Sequence, residues 1–418
     1  MALLFLCLIF GTGRTQKIEA AVQNVPESLE EESRLDTVGT DQETERAAVR
    51  EKKGQQEKEA GDTETDQAAA AQDELLAELD FDAIQQEVDS LLSSQQFSFA
   101  GTVRSLLQDG DPFRTFRAGN AVLSCAKTAF LAQKGLMKEL FLLVLAGAVL
   151  GSFSSLFEGK QVRDASFYMV YLLALALILK NFQSSGENLK AVITSLVAFM
   201  RILTQSYSLA AAAAGGASSA VMFYQMLLLV ILAVEKLLLA LVLPMIHIYL
   251  LIALVNDLSG EEILSHMTEL LETCVNGLLK SSLGVLVGMQ MIRNLIAPAL
   301  DSLRQMALWR TAGMIPGIGN AVNAVTELVA GSAVLIRNCF GVTAMLVLLA
   351  AGMVPAVQLL VSGLSFRLLA AAAQPVSDKR IAGCLAAAGK GYAMLLRLLL
   401  TVEVLFLLTI AILAGTFS

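Results

Sequence analysis

The 418-residue chain is 55% hydrophobic, with a mean hydropathy of +0.63 and a formal net charge of −8. This length suffices for two or three soluble domains, but the long apolar runs make one helical membrane domain the better account. The acidic excess sits in the N-terminal tail, and no basic stripe with interleaved aromatics appears, which argues against a nucleic-acid partner.

The chain opens with an apolar run, Met1 to Phe10, of a length that suits the core of a signal peptide better than a membrane span. It lacks a basic leading region, and Ala20-Ala21 is a weak cleavage site, so residues 1–20 read as a signal peptide or an N-terminal anchor. Residues 21–72 are rich in Glu, Asp, Gln, Thr, Lys and Ala, including Glu30-Glu31-Glu32. Such a segment cannot bury enough apolar surface to offset chain ordering, and it is expected to be a disordered acidic linker.

Residues 73–135 change character. Leu79, Phe81, Ile84, Val88, Leu91 and Leu92 recur at helical spacing, and Phe97, Phe99, Val103 and Leu106 resume the pattern after a polar break. The spacing predicts two short amphipathic helices, favoured to pack on the rest of the chain, with the bilayer surface or a partner helix as alternatives. A third amphipathic stretch, Phe113 to Gly135, carries Arg114, Arg117, Lys127 and Lys134.

Residues 136–418 read as a polytopic membrane domain. A first span, Leu136–Phe157, and a second, Ala165–Leu179, flank a polar turn. Apolar segments follow at Leu189–Ser208, Val221–Val234 and Leu237–Val255, the last two separated by Glu235-Lys236. That pair is expected to be a tight turn, with an ion pair inside one bent helix as the alternative. Leu258–Lys280 reads as an amphipathic surface helix, and Leu283–Leu300 as a span with Gly284 and Gly288 as a helix-packing face. A span from Val342 to Phe366 contains Pro355, a polar turn lies at Gln374–Arg380, and the last span, Leu395–Leu413, contains Glu403. The expected fold class is all-α and polytopic, with six or seven transmembrane helices plus amphipathic helices after an acidic linker.

Between the spans lies a polar stretch at 311–341. It holds Gly313, Pro316, Gly317 and Gly319, then Asn320, Glu327, Gly331, Ser332, Arg337, Asn338 and Gly341. Gly and Pro interrupt helices, and broken backbone at membrane depth needs protein or water to satisfy its freed groups. Two readings stand: a broken or re-entrant element, or a polar loop with an interfacial helix.

Motifs of catalysis fail their tests. Ala386–Tyr392, AAAGKGY, lacks the spacing and the hydroxyl of a phosphate loop, and Gly317-Ile318-Gly319 is followed by Val322 where a dinucleotide fingerprint needs a small residue. No zincin or nucleophile-elbow motif occurs. Cys7, Cys125, Cys274, Cys339 and Cys384 are scattered, and His247 and His266 are the only histidines, so neither a zinc site nor a disulfide framework is expected. The reading is a non-enzyme without cofactor or metal. Glu327 and Glu403 are membrane carboxylates for which structural roles are favoured over transport chemistry.

Gly313-Met314-Ile315-Pro316, Gly331-Ser332-Ala333, Arg337-Asn338 and Gly341 together resemble the stage III sporulation protein AE family. Leu79-Asp80-Phe81 with Phe97-Ser98-Phe99 resembles its early region, and Gln374-Pro375, Asp378, Arg380 and Gly389 its end. The acidic linker and the poor signal region depart from it. The resemblance implies a mother-cell protein in the membrane around the engulfed forespore, one of an AA–AH set that, with a forespore protein Q, forms a secretion-like channel supporting late forespore gene expression. It implies no catalytic residue. The partners implied are those proteins and membrane lipid, with self-association into a homo-oligomer left open. A secondary transporter with its site at the broken helix and a passive scaffold are the alternatives. A signal peptide places the linker outside the cytoplasm, whereas the basic residues before the first span favour the inside; the exterior N-terminus is the favoured topology.

Overall fold

The computed structural model describes residues 81–92, 97–109, 118–154, 160–213, 218–259, 264–312, 319–375 and 377–414. The signal segment and the acidic linker lie outside the described residues. The described chain is helical, with no strand: α1 (Phe81–Leu91), α2 (Phe99–Asp109), α3 (Ala118–Ser154), α4 (Lys160–Ala213), α5 (Ser218–Leu237), a π turn (Leu238–Val242), α6 (Leu243–Ser259), α7 (Ser265–Ala312), α8 (Gly319–Ala373) and α9 (Lys379–Ala414).

The centre is an antiparallel pair, α8 against α9. Pro375 cannot continue α8, and Asp378 caps the new helix by accepting the Arg380 N–H on its carboxylate at 3.0 Å. α6 and α4 pack on α9, α3 covers α8 and α4, and α7 lies against α6 and α9. The core they share holds Tyr171, Phe182, Phe199, Phe366 and Tyr392, each almost fully buried.

Several segments expected to be separate are continuous. α4 runs 54 residues, joining Ala165–Leu179 to Leu189–Ser208. The polar residues between them do not break it, because Ser185 Oγ donates to the Asn181 carbonyl at 3.0 Å and Gln183 Nε2 donates to Glu187 at 3.1 Å. α7 likewise joins the expected surface helix to the next span, with Ser282 Oγ donating to the Leu279 carbonyl at 2.7 Å across the junction.

The expected turn at Glu235-Lys236 is overturned. The helix passes through both residues and loosens into the π turn Leu238–Val242, where the Leu243 N–H donates to the Leu238 carbonyl. Pro244 supplies the cause: it has no N–H for the Ala240 carbonyl and crowds the preceding turn, and a wider turn relieves that crowding.

Five described segments are long and apolar enough to cross a membrane: Phe167–Ser206, Gln225–Leu258, Ser265–Met291, Asn338–Ala373 and Lys379–Leu413. The expected first span lies in the second half of α3, its last residues outside the described set. Many large apolar side chains on these helices face outward, Met169, Leu229, Met291 and Leu368 among them, as lipid contact requires.

The two short amphipathic helices pack on the rest of the chain, as favoured. Ile84, Val88, Phe99 and Val103 are fully buried, α1 lies against α4, and α2 lies against α8. The rings of Phe81, Phe99 and Phe340 form a triangle with centroids 5.0 to 6.4 Å apart. Gln85 locks the pair, its Nε2 donating to the Phe97 carbonyl at 2.7 Å and its Oε1 accepting the Phe99 N–H at 2.8 Å.

Candidate functional site in the helix core

Polar side chains meet between helices at three levels along α9, each opposite a glycine. At the first, Gly383 faces Asp257 of α6, whose carboxyl atoms stand 3.1 to 3.2 Å from where a Cβ would be. Beside it the Tyr171 hydroxyl donates to the Leu254 carbonyl at 2.6 Å, and the Arg380 guanidinium lies 5.5 Å from the Phe167 ring centroid. The hydrogen bond and the cation–π contact tie α4 to both neighbours at one end of the bundle.

The second level centres on Tyr392. Its hydroxyl accepts the Asn181 amide at 2.6 Å and lies 3.2 Å from Ser185 Oγ. Its ring stacks on Phe366 of α8 and meets Phe182 of α4 edge-on. Phe182 in turn meets the His247 ring of α6 edge-on at 5.2 Å. This layer is close only because glycines admit it: Gly391 lies against Phe182, Gly363 against the Tyr392 Cβ, and Gly186 against the His247 ring. Four helices are thereby tied by one aromatic and polar layer.

The third level is Glu403, 8% exposed, with Oε1 lacking a hydrogen-bond partner. It rests against Gly352 of α8, three residues before Pro355. On the outer side of α9, Arg397 donates to Asn276 Oδ1 at 3.1 Å and lies 4.0 Å from Glu272, both on α7.

The polar stretch singled out in the sequence is placed only in part. Gly313, Pro316 and Gly317 lie outside the described residues, between the end of α7 and Gly319, the first residue of α8. Glu327, Gly331, Ser332 and Arg337 are in the first half of α8, which continues unbroken to Ala373. Asn338 is exposed, and Gly341 is buried beside Phe340. These residues are not brought together with the Tyr392 layer among the described contacts. At Gly284 and Gly288 an added Cβ meets nothing within 4 Å, so no described helix of this chain packs there.

Sequence reasoning did not single out Asn181, Ser185, Gly186, Tyr392 or Gly352. The available signal was polar residues at four-residue spacing inside apolar runs, with glycines recurring in other spans. The arrangement holds helices at fixed register. Among the described residues no group of three His, Cys, Asp or Glu side chains is placed to hold a metal ion.

The family described as Stage III sporulation protein AE matches residues 97–416. Stage III sporulation protein AE of Bacillus subtilis (strain 168) is 22% identical over 291 residues, covering 69% of this chain and 73% of that protein. No solved structure matches the chain. The match spans the helical bundle from just before α2 to the end of α9, the region that holds all three levels of α9, and the chain therefore belongs to the stage III sporulation protein AE family, as a helical membrane protein of sporulation.

Proposed function

We propose that the protein is a non-enzymatic membrane component of a channel complex joining the mother cell to the forespore, seated in the outer forespore membrane. The family match across residues 97–416 carries this reading. Three features support it. Five apolar segments suit a membrane-embedded subunit, the amphipathic helices α1 and α2 fold back onto α4 and α8, and the polar groups along α9 act as helix clamps. The partners proposed are the other stage III AA–AH proteins and, through the complex, the forespore protein Q. A secondary transporter is the second reading, and the buried carboxyl of Glu403 is the observation that favours it.

The test is complementation in an endospore former lacking its own family member. The chain is expected to restore a late forespore reporter and to co-purify with AA–AH proteins from sporulating cells. Membrane-inserted chain that restores the reporter without any such association would favour the transporter reading. Failure of inserted chain to restore the reporter would overturn the channel role. A cysteine at Asn320 that impermeant reagent labels in intact cells would favour a water-lined segment over a passive scaffold.

A further inference from the structure

The buried threonine hydroxyls among the described residues are satisfied by carbonyls one turn back. Thr204, Thr343 and Thr409 each donate to the carbonyl four residues back, at 2.7 to 2.8 Å. Glu403 has no such outlet. Its side chain is enclosed, its Oε1 has no partner, and a Cβ added at Gly352 would fall on its carboxyl group. Glycine is thus the residue that leaves α8 bare where the carboxyl sits.

The backbone it meets is short of donors. Pro355 has no N–H, so the carbonyl of Ala351, one residue from Gly352, lacks its helical partner. A carboxylate is an acceptor only, whereas the protonated acid carries an O–H that donates. Burying an unpaired ionised carboxylate is far more costly than burying the neutral acid.

No cation takes the proton's place among the described residues. Arg397, about 9 Å along the same helix, turns to Glu272 and Asn276 of α7. On α8 Arg367 lies against Gly389, and on α6 Asp257 lies against Gly383. Lys190 and Arg201 of α4, Lys280 of α7, and Lys134, Lys138 and Glu139 of α3 are exposed. Glu235 of α5 lies near Arg201 and Lys236.

We propose that Glu403, seated at Gly352 beside the Pro355 interruption, is an intramembrane proton-binding site, occupied while α8 and α9 are packed and vacated when they part. Proton release is to water, and the carboxylate then leaves the glycine notch. The site couples a protonation event to the contact between the two central helices.

The test uses the full chain in membranes with dicyclohexylcarbodiimide, which reacts with protonated carboxyls in apolar surroundings, read by peptide mass spectrometry. Glu403 is expected to be modified at neutral pH, where a solvated glutamate with its ordinary value of about 4.3 is ionised. Above the midpoint, modification should fall about tenfold per pH unit. Sodium chloride and choline chloride should have equal effects. Infrared spectra should show a protonated-carboxyl carbonyl band that Glu403→Gln removes, and Gly352→Ala should displace the carboxyl and abolish the neutral-pH labelling. Absence of that band in the unaltered chain would overturn the proposal, as would labelling that does not change with pH. Protection by sodium alone would replace the proton with a metal cation and overturn it equally.

Discussion

The Asn181 amide donates to the Tyr392 hydroxyl at 2.6 Å, joining α4 to α9 across 211 positions of chain. A polar contact inside a membrane bundle has no hydrophobic competitor and fixes the rotation of both helices. Replacing Tyr392 by Phe keeps the stacking on Phe366 but strands the amide. We expect a loss of about 1–3 kcal/mol, read as a lower melting midpoint of the purified chain in micelles, with little change in helix content.

Gly186 and His247 make a second, steric prediction. A methyl group at Gly186 would stand 2.6 Å from two atoms of the His247 ring. The ring cannot swing freely, because its Nδ1 lies 2.8 Å from the Leu243 carbonyl and its face meets Phe182. Gly186→Ala should therefore cost about 1–3 kcal/mol through overpacking. Adding His247→Ala should recover part of that loss in a double-mutant cycle. Simple additivity in the melting data would show that the two residues do not meet.

Phe340 holds the amphipathic pair. Its ring is the one that both Phe81 and Phe99 reach on α8. Phe340→Ala should cost about 3–5 kcal/mol at that contact and release α1 and α2 selectively. Hydrogen exchange is expected to rise across Phe81–Asp109 while α9 stays protected. A uniform rise over the whole bundle would mean that Phe340 supports the core and not the attachment.

The π turn makes a register prediction. The turn already absorbs one extra residue; inserting an alanine after Leu239 adds a second and should rotate α6 by about 100° relative to α5. Tyr249, Leu250 and Leu254 are buried on the face that would turn away. The insertion should prevent recovery of monodisperse protein in size-exclusion chromatography, whereas Leu239→Ala, which keeps the count, should not.

Arg397 and Glu272 are 53% and 40% exposed and 4.0 Å apart. An ion pair so exposed is worth about 0–1 kcal/mol, so Arg397→Gln should hardly move the melting midpoint of the isolated chain. A larger effect in sporulating membranes than in micelles would show that a neighbouring subunit covers this face.

Local residue chemistry sets the class of molecule and much of its punctuation. Apolar runs of span length, the Pro375–Asp378 turn and the paired short helices before α3 were legible because each depends on local chemistry: hydropathy, a missing N–H, a capping carboxylate, a 3.6-residue repeat. Tertiary structure alone decided where helices do not stop. The segment around Asn181 and the pair Glu235-Lys236 look like interruptions when polarity is read along the chain. In the bundle, Asn181 and Ser185 turn inward to Tyr392, and the strain before Pro244 is absorbed by one wide turn. The partners of Gly186, Gly352 and Gly383 were equally invisible. A glycine says only that space is free, and what fills it depends on which distant helix comes to lie there.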